Sequence, residues 1–201
     1  MPYERIFNRN GLHSYDLKVA YFKQEIWQDW KEIYEDNSTA LTAIGRFPYE
    51  DFVFLYDDTG ELIYHKQVKE DEVPDGRVVA AYGMSKQKIT KRNNYRVQSY
   101  LGPTSQIYAH FGPDYDKGHF VNDASGGPKE INLFPQKREV NRGWSESGKR
   151  YRRMEKYIAQ NPGTFFFSRP FYNDFTLRPA MLELGYVSID GTFVSEIFDN
   201  M

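Results

Sequence analysis

The chain has 201 residues, of which 40% are hydrophobic and 17% aromatic, enough to bury the core of one globular domain. Its net charge of −2 provides no overall attraction to nucleic acid, and the absence of cysteine excludes disulfides, thiolate metal sites and cysteine nucleophiles. Acidic residues concentrate in the stretch 25–75 and basic residues in the stretch 129–156. This asymmetry indicates a site for an anion in the second half of the chain.

The N-terminal segment MPYERIFNRNGLHSYDLK lacks the apolar core of a secretory signal peptide. No apolar run approaches the roughly 18 residues that a membrane-spanning helix needs. We therefore expect a soluble protein with no N-terminal signal peptide and no membrane partner. Export would then require a specialised secretion system that delivers the protein as an effector, or a longer parent chain.

In residues 15–35, apolar side chains recur at helical spacing after Ser14, a candidate N-cap, and predict one amphipathic helix. Further along, two apolar runs in residues 51–68 surround Asp57-Asp58-Thr59-Gly60 and predict a β-hairpin. Three more strands are predicted, at RVVAAYGM (77–84), YRVQSYL (95–101) and SQIYAHF (105–111).

Residues 145–160 predict a second helix, with an apolar side formed by Tyr151, Met154 and Ile158 and arginines on its other side. Three strands follow, at GTFFFSRPFY (163–172), RPAMLELGYVSI (178–189) and GTFVSEIF (191–198). Hairpins combined with two helices predict the α+β class, with a mostly antiparallel sheet and flanking helices.

The same pattern predicts the domain organisation. Residues 1–90 would form an extension of helix and hairpin that packs on a core of residues 91–201. One continuous domain over residues 1–201 is the alternative.

The segment DYDKGHFVNDASGGPKEINLFPQKREVNRG, residues 114–143, concentrates a histidine, several amides and a Gly-Gly turn. His119 lies where a predicted strand meets a turn, and a neutral imidazole can accept a proton from water. Asn132 and Asn141 offer amide oxygens, which are hard ligands that suit magnesium. The arginine-rich helix after Asn141 can hold phosphates. A base, a cation and a phosphate clamp together are the parts needed to hydrolyse a phosphodiester.

Four motifs follow one another in this region, namely DKGH (116–119), NLFPQ (132–136), NRG (141–143) and RRMEKY (152–157). In order and spacing they resemble the DNA/RNA non-specific endonucleases of the ββα-metal, or His-Me finger, group. The nearest resemblance is to nuclease domains at the C-termini of bacterial polymorphic toxins. The resemblance implies a ββα-metal motif within the fold and a metal-dependent hydrolase that acts on nucleic acid.

The resemblance also implies roles for individual residues. His119 would be the general base that activates water, and Asn132 would hydrogen-bond within the catalytic site and hold its geometry. Asn141 would be the direct ligand of Mg²⁺, or of another hard divalent cation such as Mn²⁺. Glu155, on the helix, would hold a water molecule that is bound to the cation.

Six residues are predicted to contact the substrate, with Asp116 in support: Lys117, Gln136, Arg138, Arg142, Arg150 and Arg153. For Gln136 the alternative is that it braces the loop. Two features depart from the family pattern. Lys117 stands where the family has arginine, which keeps the charge but loses the bidentate fork. The interval from Asn141 to Glu155 is longer than usual, with Tyr151 in place of the family's tryptophan. For the arginine that the family places on the scissile phosphate, Arg92 and Arg96 are candidates.

These observations predict a magnesium-dependent endonuclease that cuts DNA, and also RNA, without strong sequence preference. The toxin-like motifs and the missing signal peptide suggest a bacterial toxin or effector, held in check by a cognate immunity protein. One alternative is a catalytically inactive module that binds nucleic acid or protein, which metal-dependent cleavage would exclude. The other is a sequence-specific defence endonuclease, which would produce a ladder of discrete fragments instead of a smear.

Overall fold

The computed structural model describes residues 1–37, 44–49, 51–57, 77–88, 111–128, 132–174 and 176–201. Its helices are α1 Tyr3–Arg9, α2 Tyr15–Gln24, α3 Ile26–Asp36, α4 Arg138–Asn141 and α5 Glu146–Gln160. Its strands are β1 Ile44–Tyr49, β2 Phe52–Asp57, β3 Arg77–Met84, β4 Tyr115–His119, β5 Leu133–Lys137, β6 Phe165–Phe171, β7 Met181–Val187 and β8 Phe193–Asp199. Within these ranges no helix combines the length and hydrophobicity needed to cross a bilayer.

Six of these strands form one sheet in the order β1-β2-β3-β6-β7-β8, and β4 and β5 form a separate hairpin. Every neighbouring pair in the large sheet is antiparallel. With helices beside this sheet, the prediction of an α+β fold with a mostly antiparallel sheet is confirmed. The hairpin of β4 and β5 is followed by α4 and α5, which gives the predicted ββα arrangement.

The large sheet has a hydrophobic core on each face, because successive side chains of a strand point to opposite sides. Phe165 and Phe167 of β6 pack into a core with α1, α2 and α3. Phe166, between them, belongs to a second core with the β4–β5 hairpin and α5. The three N-terminal helices therefore lie on one face of the sheet, and the ββα elements lie on the other.

The prediction of a single helix over residues 15–35 is wrong in one respect, because the segment forms two helices separated at Glu25. The predicted N-cap is present, since the Ser14 hydroxyl accepts a hydrogen bond from the Leu17 amide at 3.3 Å. Glu25 has a φ of −114°, away from the helical value. α2 contacts β7 whereas α3 contacts β3, so the break lets the segment follow two strands of the sheet.

Strand predictions in the two halves of the chain differ in outcome. β3 and β6 to β8 are present where the pattern predicts them, and α5 has the predicted apolar side. β1 was not predicted, since Gly45 and Pro48 are unusual in a strand, and both are tolerated because β1 is an edge. The first run of the predicted hairpin is β2, which pairs with β1 and β3. Its second run and the strands at 95–101 and 105–111 fall almost entirely outside the described residues.

Buried polar contacts fix the N-terminal helices to the sheet. Glu183 of β7 accepts hydrogen bonds from Tyr3 at 3.1 Å and from Arg169 at 2.8 Å, and the Trp30 indole donates to the Tyr3 hydroxyl at 3.2 Å. β3, from the predicted extension, pairs directly with β6 of the predicted core. These contacts favour the alternative of one continuous domain, and the boundary at residue 90 stays a prediction.

Candidate active site

A cavity of about 500 Å³ opens where the end of β4, the end of α4 and one side of α5 meet. His119, Asn141 and Glu155 all border it, although they come from three different elements. Lys117, Asn122, Asp123, Arg152 and Lys156 border it as well. The fold thus brings together in one cavity the predicted base, the predicted metal ligand and the predicted helix carboxylate.

His119 is the last residue of β4 and pairs with Leu133 of β5. The residue before it must be small, because a Cβ on Gly118 would collide with the side chain of Gln136 across the hairpin. Gln136 is 2% exposed and hydrogen-bonded to Tyr151 of α5. Gln136 therefore braces the hairpin against the helix from beneath. In this position it does not border the cavity, so its predicted contact with substrate is unsupported by the geometry.

Asn132 fixes the chain immediately after His119. It is fully buried; its Oδ1 accepts from the Val121 amide at 2.6 Å, and its Nδ2 donates to the carbonyls of Val121 at 2.5 Å and Pro128 at 2.9 Å. Gly127 lies against the same carbonyl of Val121 with no room for a Cβ. The side chain of Asn132 thus holds the turn that follows the histidine, and its role in the catalytic site stays a prediction.

Asn141 is the last residue of α4, and Asp116 ties this short helix to β4. The Asp116 carboxylate accepts from Arg142 at 2.6 and 3.1 Å in a bidentate pair, and from Arg138 at 3.3 Å. The Arg138 amide also donates to the carbonyl of Asp114 at 2.6 Å. Two of the predicted substrate arginines therefore hold the Asp116 carboxylate, and the supporting role of Asp116 in the site stays a prediction.

Glu155 lies on the cavity side of α5, a helix capped by the Ser145 hydroxyl. Its side chain is 13% exposed and accepts from Arg152 at 3.0 Å. Burial raises the pKa of Glu155 to about 7, although the Arg152 guanidinium opposes this rise. Burial also lowers the pKa of Lys117, which shares the cavity, to about 8. Burial thus shifts the pKa of both groups toward neutral pH.

The remaining predicted substrate residues are spread over the surface of α5. Arg150 is turned toward β8 and pairs with Glu196 at 2.5 Å, away from the cavity. Arg153 borders a groove next to the cavity and not the cavity itself. Arg92 and Arg96 lie outside the described residues. Sequence reasoning missed Arg152 and Lys156 as cavity residues. Arg152 comes three residues before Glu155 and Lys156 comes four residues after Arg152, which are spacings that make helix residues neighbours.

A comparison with protein families gives this geometry its context. The family model described as DNA/RNA non-specific endonuclease matches residues 60–189, well over half of the chain. The chain belongs to the DNA/RNA non-specific endonuclease family. The match spans every residue of the cavity and begins upstream of residue 90, within the part of the chain that the sequence motifs did not identify. The predicted family and the predicted nucleic-acid hydrolase are confirmed. No curated protein has detectable similarity to the chain.

Members of this endonuclease family generally depend on a divalent metal. The cavity presents hard oxygen donors, the amide of Asn141 and the carboxylate of Glu155, beside His119. No group of three or more histidine, aspartate or glutamate residues suited to a metal occurs in the described ranges. Magnesium keeps most of its water molecules and needs few protein ligands, so one or two oxygen donors fit this ion.

Proposed function

We propose that this endonuclease requires magnesium, or a similar hard cation such as manganese, and hydrolyses DNA and RNA without strong sequence preference. One observation supports this proposal above all. His119, Asn141 and Glu155 border the same cavity, and that cavity lies inside the range that matches the family.

Each residue has a separate task in the proposed reaction. The His119 imidazole accepts the proton of the attacking water, and Lys117 and Arg152 attract the phosphate to the cavity. A divalent cation, held by Asn141 with Glu155 close by, would stabilise negative charge on the phosphate and on the leaving oxygen. Asp116 and Asn132 keep α4 and the turn after β4 in place, so that Asn141 and His119 both stay at the cavity.

A direct test uses plasmid DNA and total RNA, each with magnesium and with a chelator. We expect both substrates to give a smear of fragments in magnesium and to stay intact in the chelator. Cleavage of only one substrate would restrict the proposed range. A ladder of discrete fragments would favour the sequence-specific endonuclease. Intact nucleic acid in all lanes, with folded protein, would favour the inactive binding module.

We also propose that the protein acts as a bacterial toxin or effector and is neutralised by an immunity protein that covers the cavity. The proposal rests on the resemblance of its motifs to toxin nuclease domains and on the harm that a nuclease without sequence preference does to its own cell. Induced expression in a bacterial cytoplasm should stop growth, whereas expression of His119→Ala should not. Normal growth with active enzyme present, and no partner supplied, would contradict the toxin role.

A further inference from the structure

A second concave surface, the basic groove, lies next to the catalytic cavity. It has a volume of about 380 Å³ and is lined by Arg142, Gly143, Lys149, Arg152, Arg153 and Lys156. Arg152 and Lys156 also border the catalytic cavity, so the two concave surfaces are continuous. Five of the six lining residues are cations and none is an acid. A polyanion that enters the cavity would therefore be drawn along the groove.

The chain positions these cations through local structure. Lys149, Arg152, Arg153 and Lys156 recur at intervals of three or four along α5, which places them on one side of the helix. Gly143 has a φ of 71°, and a Cβ there would approach Cγ of Arg152 to 2.9 Å. A glycine at this turn thus lets the stem of Arg152 lie against the backbone. Arg153 and Lys156 form no ion pair with any residue in the described ranges.

Trp144 adjoins the groove through its neighbours Arg142 and Gly143. It is 63% exposed and is the only aromatic residue among the large apolar side chains exposed in the described part of the chain. The Arg142 guanidinium lies 5.0 Å from the centroid of its ring, and the Trp144 amide donates to the Glu139 carbonyl at 2.8 Å. Because Asp116 holds the Arg142 guanidinium in place, the indole packs against a fixed side chain. Its exposed surface is apolar.

We propose that the basic groove and Trp144 together bind a single strand of the nucleic-acid substrate beside the scissile phosphate. This inference rests on the proposed nuclease function. Cations along a groove bind successive phosphates, and an exposed aromatic ring stacks on an unpaired base of any identity. A base within a duplex cannot stack on Trp144 until it leaves its pair. The substrate class recognised at this surface is therefore single-stranded DNA or RNA, or a duplex that has opened locally.

Tryptophan fluorescence tests the stacking directly, in a chelator so that no cleavage is needed. The probe is an oligothymidylate of about ten nucleotides, within the site size of single-strand binding surfaces. We expect it to quench the wild-type emission, and a duplex of the same length to quench much less. Trp144→Phe should lose the quenching, whereas Trp27→Phe should keep it, because Trp27 lies on α3 against the opposite face of the sheet. Quenching that persists in Trp144→Phe, or that is equal for both probes, would overturn the stacking.

Salt dependence tests the groove. For a single strand, each phosphate contact contributes about 0.7 to the slope of log K against log salt. Arg153→Gln should lower this slope by about that amount and weaken binding of the oligothymidylate. The control is Lys23→Gln, which removes the same charge from an exposed position on α2. An equal slope in the two variants would show that the groove does not carry the strand.

Kinetics separate this inference from the proposed function. In magnesium, Trp144→Ala and Arg153→Gln should raise KM for a single-stranded oligonucleotide about ten-fold and leave kcat nearly unchanged. A protein that never cleaves but still shows the quenching lost in Trp144→Phe would refute the nuclease and keep the binding surface. A protein that cleaves with unchanged KM in both variants would keep the nuclease and refute the surface.

Discussion

Replacement of His119 by alanine is expected to lower kcat on plasmid DNA by about 10²–10⁴-fold, the contribution of a positioned general base. The imidazole borders the cavity and belongs to neither hydrophobic core, so its loss removes no packing that the fold depends on. The melting temperature should therefore remain close to that of the wild type. Single-turnover cleavage in saturating magnesium gives the rate, and thermal denaturation followed by circular dichroism gives the stability.

The matched control is His13→Ala, since His13 is exposed and precedes α2 on the other face of the sheet. It should cleave at the wild-type rate. Added imidazole should restore part of the activity of His119→Ala, because a diffusible base can occupy the space that the side chain leaves. If His119→Ala cleaves as fast as His13→Ala, the proton is accepted by another group and the role assigned to His119 is wrong.

The motifs identified residues for which the proposed reaction requires a particular side chain, namely a base, a metal ligand and a carboxylate. The resemblance of the motifs to the family implied that His119, Asn141 and Glu155 share one site, and the three residues do border one cavity. The strands after α5 could also be predicted from the sequence, because alternation of apolar residues and turn residues are local signals. The family match begins at residue 60, so it also includes residues before 90 that no local signal assigned to the family.

The arginines were harder to assign from sequence. A guanidinium can bind a phosphate or a carboxylate with the same fork, and the sequence does not indicate which is nearby. Arg138 and Arg142 hold Asp116, and Arg150 pairs with Glu196, a residue of β8 that is distant in sequence. Only the fold brings these acids into place. Of the predicted substrate cations on α5, Arg153 is the one that faces the basic groove.

Net charge is a poor guide for the same reason. The chain is slightly acidic as a whole, yet five cations line one groove beside the cavity. Clustering of cations on one side of α5 lets a slightly acidic protein present a basic surface to nucleic acid. Electrostatic attraction acts over about 8 Å in physiological salt, so the local surface decides what binds.

Replacement of Asn141 by alanine is expected to lower kcat/KM at fixed magnesium by at least about 100-fold, the upper range for partners that only orient metal ligands. The amide stands at the end of α4, which Asp116 keeps in position, so the backbone should survive the change. Asn141→Asp keeps a hard oxygen and should retain magnesium-dependent cleavage. Asn8→Ala, which removes an exposed amide on α1, is the control and should behave as the wild type.

Metal binding can be followed without activity, through the rise in melting temperature that magnesium or manganese causes. A cation present at about one hundred times its Kd stabilises the folded state by about 2.7 kcal/mol. The wild type, Asn8→Ala and Asn141→Asp should show this rise, and Asn141→Ala should not. A full rise in Asn141→Ala would mean that the cation is held elsewhere, and Glu155 would then be the first alternative ligand to test. Loss of cleavage together with loss of the rise would assign the cation to Asn141.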